Sequence, residues 1–123
     1  MSGEGPSRLT PQGTLTLVAT PIGNLGDITY RAVEILKSVD VVLAEDTRHS
    51  RRLFNHYAIT TPLLPYHDHN EARVTPSIVV RLQRGENVAL ITDAGTPGVS
   101  DPGFYLVRAA LEAGVAVTMA PGA

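Results

Sequence analysis

A chain of 123 residues with 43% hydrophobic and 18% charged residues has the length of one domain and enough apolar side chains for a core. Its net charge of −2 excludes a surface that is basic overall, so any nucleic-acid contact has to use a local patch. The absence of cysteine excludes disulfides, thiolate metal sites and a cysteine nucleophile, and no apolar run approaches the roughly 20 residues of a membrane span.

Residues 1–13 are rich in Gly, Pro and Ser and carry no charged-then-apolar signal pattern. They predict a disordered lead-in to a domain over residues 14–123, and a cytoplasmic setting. Thr14–Ala19 (T-L-T-L-V-A) predicts a first strand, followed by a Gly/Pro loop over Thr20–Asp27. Asp27 or Thr29 can cap the next helix, whose apolar residues Ile28, Ala32, Ile35, Leu36 and Val39 recur at helical spacing. Val41–Ala44 predicts a second strand ending at Glu45-Asp46. Thr47–Tyr57 predicts a helix capped by Asp46 or Thr47, with Arg48, Arg51, Arg52 and Asn55 on one side and Leu53, Phe54 and Tyr57 on the other.

Leu63-Leu64, with prolines on both sides, predicts a short third strand, and Tyr66–Glu71 is polar and loop-like. Thr75-Pro76 has the form of a cap plus first helical residue, predicting a helix to Arg84 that stops at Gly85. Val88–Thr92 predicts a fourth strand. It runs into a loop with Asp93 at its mouth, three glycines (Gly95, Gly98, Gly103) and two prolines (Pro97, Pro102). Asp101 can cap and Pro102 can open a helix over Phe104–Ala113, which is apolar nearly all round. Gly114 ends it, and Val115–Ala120 predicts a fifth strand before Pro121-Gly122-Ala123.

Strands alternating with helices predict an α/β fold: an open, mainly parallel five-stranded sheet with helices on both faces and right-handed crossovers. The fifth strand running straight into a Pro-Gly turn leads us to expect an N-terminal piece of a longer protein. The loops after strands one and four leave carboxyl ends. If those strands are neighbours, the loops face one crevice suited to a nucleoside-like cofactor. Asp93 either holds a ligand there or closes a turn with its own backbone. Glu45-Asp46 falls about 20 residues after the first loop, where a dinucleotide fold places its ribose-binding acid. The loop reads P-I-G-N-L-G, however, and Asp46 is equally placed to cap a helix. His67-x-His69 with Asp68 and Glu71 does not match the spacing of zinc hydrolases, and no metal is expected. The face formed by Arg48, Arg51 and Arg52 either binds phosphates or is a solvated helix side.

Four blocks carry a resemblance that spans about Gly13 to the last residue: A-T-P-I-G-N-L-G-D-I at Ala19–Ile28, A-E-D-T-R at Ala44–Arg48, H-D-H-N-E at His67–Glu71, and D-A-G-T-P-G-V-S-D-P-G at Asp93–Gly103. In these the sequence resembles the ribosomal RNA small-subunit methyltransferase I branch of the tetrapyrrole methylase superfamily. Relatives that methylate corrin precursors carry a G-A-G-P-G-D-P type first loop and an S-G-D-P type later loop, and this sequence departs from both. The resemblance implies a two-domain, homodimeric enzyme that transfers a methyl group from S-adenosylmethionine to the ribose 2′-hydroxyl of a cytidine in small-subunit ribosomal RNA. It implies cofactor contacts at Pro21, Ile22, Gly23, Asp93, Gly95, Thr96, Val99 and Ser100. A 2′-hydroxyl gains from a general base, for which Asp46, His67 and His69 are the candidates. Arg48, Arg51 and Arg52 are candidates for steering the RNA backbone. The second domain is absent from this chain, so the 123 residues are expected to be inactive alone. A corrin-precursor methyltransferase and a non-catalytic nucleotide-binding or dimerisation module are the alternative readings.

Overall fold

A computed structural model of the chain describes residues 11–21, 25–93 and 101–120. Five strands occur in it: β1 (Thr14–Thr20), β2 (Val41–Ala44), β3 (Leu63–Pro65), β4 (Val88–Asp93) and β5 (Ala116–Ala120). Four α-helices alternate with them: α1 (Tyr30–Ser38), α2 (Thr47–His56), α3 (Glu71–Gln83) and α4 (Asp101–Glu112), with a short 3-10 turn at Leu25–Asp27. The sheet order is β3-β2-β4-β1-β5, and every neighbouring pair is parallel. The expected open parallel sheet is therefore present.

The chain moves from β1 past β4 to β2, on to β3, back to β4 and then past β1 to β5. Right-handed crossovers put the helices of the first two moves on one face and those of the two return moves on the other. The core divides in that way. Leu15, Leu17, Val41, Leu43, Val88 and Leu90 pack against Ile78 and Leu82 of α3 and Leu106 and Ala110 of α4. Val18, Val42, Ala44 and Ala89 point to the opposite face and pack against Ala32, Val33 and Leu36 of α1 and Leu53 and Phe54 of α2. Successive strand residues alternate between the faces, so the central strands β2 and β4 read as continuous apolar runs because both their faces are covered.

Local chemistry sets the helix ends. The Thr29 hydroxyl accepts from Ala32 N–H at 3.1 Å, which settles the first cap on Thr29 rather than Asp27. Gly85 and Gly114, at φ 100° and 80°, follow α3 and α4 as helix stops. The start of α3 corrects the sequence reading. The helix begins at Glu71, and Thr75-Pro76 lies inside it. Asn70 builds that earlier start: its Oδ1 accepts from His67 N–H at 2.8 Å, its Nδ2 donates to Pro65 O, and its own carbonyl accepts from Val74 N–H. Thr75 turns its hydroxyl inward, 2.6 Å from the Tyr66 hydroxyl. Proline one residue later removes only one intrahelical hydrogen bond, and the buried side chains of Ile78 and Leu82 hold the turn onto the sheet. The last helix likewise begins at Asp101, earlier than the expected Phe104.

Candidate functional site

β1 and β4 lie side by side, and their register runs from Leu15↔Val88 to Thr20↔Asp93. Their carboxyl ends are therefore level. The chain leaving β1 leads to α1 on one face, and the chain leaving β4 leads to α4 on the other. Adjacent parallel strands whose connections part to opposite faces leave a crevice between them, the place where open α/β sheets bind ligands. The condition set from sequence, that strands one and four be neighbours, is met.

At the lip of this crevice Thr20 is 1% exposed, and its hydroxyl has no hydrogen-bond partner among the described residues. Pro21 is buried, and its carbonyl oxygen lies 3.1 Å from His49 Nε2. Asp93 is the last residue of β4. Ile22, Gly23, Gly95, Thr96, Val99 and Ser100, the other cofactor contacts implied by the resemblance, lie outside the described residues.

Of the three candidate bases, Asp46 follows one strand and the His67–His69 pair another. Asp46 follows β2 and caps α2, its Oδ1 accepting from Arg48 N–H at 3.0 Å. That backbone N–H above all, with help from His49 N–H and the Arg48 charge, holds the carboxyl below the usual carboxylate range. A carboxylate fixed in its charged form by a helix terminus is a poor proton acceptor. His67 and His69 follow β3 at the sheet edge, with β2 between them and β4. His67 Nδ1 accepts from His69 N–H at 3.2 Å, which places the hydrogen of the neutral ring on Nε2, and the two rings meet edge-on at 5.8 Å. His69 is exposed, with Nε2 3.7 Å from Asp68 Oδ1. Among the described residues no three His, Asp or Glu side chains come together as a metal site.

Arg48, Arg51 and Arg52 are all exposed on the outer side of α2. Arg48 makes a long 3.5 Å contact with Asp46, and among the described residues no acid pairs with Arg51 or Arg52. The helix starts at the carboxyl edge of the sheet, and its cationic side is the one turned to solvent.

Two features add to the sequence reading. Glu71, the last residue of the H-D-H-N-E block, has a buried Oε2 without a partner among the described residues. It lies near the buried Tyr66, whose hydroxyl is pushed above its ordinary pKa chiefly by burial, with Thr75 opposing and the charge of Glu71 adding to the rise. His49 is the second. It stands four residues before Leu53 and eight before Tyr57, and that helical spacing to two inward-facing residues was the available signal.

The chain belongs to the Tetrapyrrole (Corrin/Porphyrin) Methylases, whose family model matches residues 14–123. Within that family it is similar to proteins named ribosomal RNA small subunit methyltransferase I. The one from Synechocystis sp. is 58% identical over 111 residues, covering 90% of this chain and 40% of that protein. The one from Escherichia coli O157:H7 is 51% identical, covering 90% of this chain and 39% of its own length. The chain thus spans about two fifths of the curated relatives it matches. Among solved structures, uroporphyrin-III-C-methyltransferase from Thermus thermophilus superposes with a TM-score of 0.67 at 25% identity, covering 89% of this chain and 47% of that one. Among the described residues no helix is long and apolar enough to cross a membrane.

Proposed function

We propose that this chain is the cofactor-binding N-terminal part of a cytoplasmic, homodimeric methyltransferase that uses S-adenosylmethionine to methylate the ribose 2′-hydroxyl of a cytidine in small-subunit ribosomal RNA. The observation that carries the reading is the level pair of strand ends at Thr20 and Asp93, with connections parting to opposite faces. The names of the relatives at 51–58% identity support RNA as the substrate.

The residues present fit the cofactor. A buried hydroxyl without a partner among the described residues, as at Thr20, suits a polar nucleoside edge laid against it. When bound, S-adenosylmethionine supplies a methyl group made electrophilic by its positive sulfur. The chain's own task is then alignment, because an in-line displacement gains most of its rate from holding the reacting atoms in place. Asp46 is spent on capping α2, and neutral His67 has its acceptor nitrogen, Nδ1, engaged by His69 N–H, which leaves the His69 ring as the acceptor for the hydroxyl proton among the three candidate bases. Arg48, Arg51 and Arg52 meet the RNA backbone from the exposed side of α2. The remaining wall of the crevice belongs to a second domain, so the 123 residues alone are inactive.

The test is methyl transfer by the intact protein from labelled S-adenosylmethionine, with small ribosomal subunits and a corrin precursor offered in competition. Label in a 2′-O-methylcytidine of the ribosomal RNA is the expected result. Label in the corrinoid alone, or no transfer to either, overturns the reading.

A further inference from the structure

The helix α2 touches the chain on both sides of residues 22–24. Near its start, His49 Nε2 lies 3.1 Å from the carbonyl oxygen of Pro21. A carbonyl only accepts, so the ring nitrogen facing it carries the hydrogen. Just beyond the helix, the Tyr57 hydroxyl donates to the carbonyl oxygen of Leu25 at 2.8 Å. Both donors are half-buried, and Leu53, midway between them on the same side of the helix, is 1% exposed in the core. Eight residues of helix span about 12 Å, and this stretch is rigid. It therefore fixes the two carbonyls relative to each other and, through Leu53 and Phe54, relative to the sheet.

Neither bond is required to close the helix itself. The Asp46 cap serves its first turn, and the backbone bonds Ala58 N–H to Asn55 O and Ile59 N–H to Phe54 O serve its last. The two side chains reach about 30 residues back along the chain, to the turn that leaves β1, where Pro21 and its successors are the implied cofactor contacts.

We infer that His49 and Tyr57 are positioning residues for the cofactor: a two-point clamp by which α2 holds Pro21 and Leu25 in place beside the end of β1. The inference rests on the cofactor site proposed above. Neither residue touches the reacting atoms. Their loss frees Pro21, an implied cofactor contact, and leaves the chemical step in place.

The test uses the intact protein carrying His49→Ala, His49→Gln, Tyr57→Phe, or His49→Ala with Tyr57→Phe. Calorimetry reads S-adenosylhomocysteine affinity, steady-state kinetics separates KM from kcat, and a thermal melt reports the fold. A net hydrogen bond corresponds to roughly a 3- to 10-fold change in an equilibrium constant. Each of His49→Ala and Tyr57→Phe is expected to weaken S-adenosylhomocysteine and raise KM for S-adenosylmethionine by about that factor. The value of kcat and the affinity for ribosomal RNA stay within about twofold, changes too small for the loss of a hydrogen bond. His49→Gln, whose amide N–H can reach the same carbonyl, restores most of the affinity. Tyr57→Phe keeps the ring, so it reports even if His49→Ala fails to fold. Unchanged S-adenosylhomocysteine affinity in the folded Tyr57→Phe protein, with the unaltered protein binding normally, overturns the clamp alone. Failure of the unaltered protein to bind S-adenosylhomocysteine overturns the cofactor reading beneath it.

Discussion

Asp46 sits where two chemistries compete for one carboxylate. As a base it would need a free lone pair and an affinity for protons, and as a cap it gives up both. Its Oδ1 accepts from Arg48 N–H at 3.0 Å, and its pKa is lowered mainly by that bond. The sign of the pH effect follows. A carboxyl whose folded pKa lies below its unfolded value contributes stability that is present above the unfolded value and is lost as pH falls through the folded one. Asp46→Asn keeps an oxygen acceptor but cannot titrate. Denaturant unfolding of both proteins at a series of pH values is expected to show the original chain more stable at neutral pH, with the difference closing as pH falls below the ordinary carboxylate range of about 4. A difference that stays constant down to acid pH would show that the cap owes nothing to the charge. Sequence alone allowed both roles for Asp46, because its position before a helix and after a strand suits either. The buried hydroxyl of Thr20, without a partner among the described residues, was not legible at all, since its burial depends on which strands flank β1.

At the scale of elements, strands were legible where short apolar runs met turn residues, and helix stops were legible where glycine supplied them, at Gly85 and Gly114. Thr75-Pro76 misled because the same dipeptide that opens many helices here lies within one. Its Thr hydroxyl is bonded to Tyr66, a partner that chain order does not reveal. The end of α2 is a related case. Ala58 occupies the left-handed region at φ 56°, and Ile59 N–H bonds Phe54 O at 2.8 Å, the closing pattern that usually takes glycine. A Cβ in that region costs about 1–2 kcal/mol, and glycine returns part of the gain as extra freedom in the unfolded chain. Ala58→Gly is therefore expected to stabilise the fold by roughly 0.5–1 kcal/mol in equilibrium unfolding. A loss of stability would mean that the Ala58 methyl contributes packing that outweighs the strain.

The whole molecule adds what no stretch of sequence states: strand order. That β4 lies between β2 and β1 brings the ends of β1 and β4, far apart in the chain, to one edge. Charge also has meaning only at this scale. The net value of −2 says nothing for RNA, yet Arg48, Arg51 and Arg52 gather on one exposed helix side where, among the described residues, only Asp46 makes an acidic contact. If that side neutralises phosphates, each contact releases counterions and steepens the salt dependence of binding by about 0.7–0.9 in log affinity against log salt. Replacing all three arginines with alanine in the intact protein is then expected to flatten the slope for ribosomal RNA by about 2–3. Affinity falls at low salt, while S-adenosylhomocysteine binding is expected to stay unchanged. A solvated face that touches nothing predicts the same slope before and after. Binding isotherms at four or five salt concentrations separate the two, because a general loss of structure would lower both affinities together and a lost phosphate contact lowers only one.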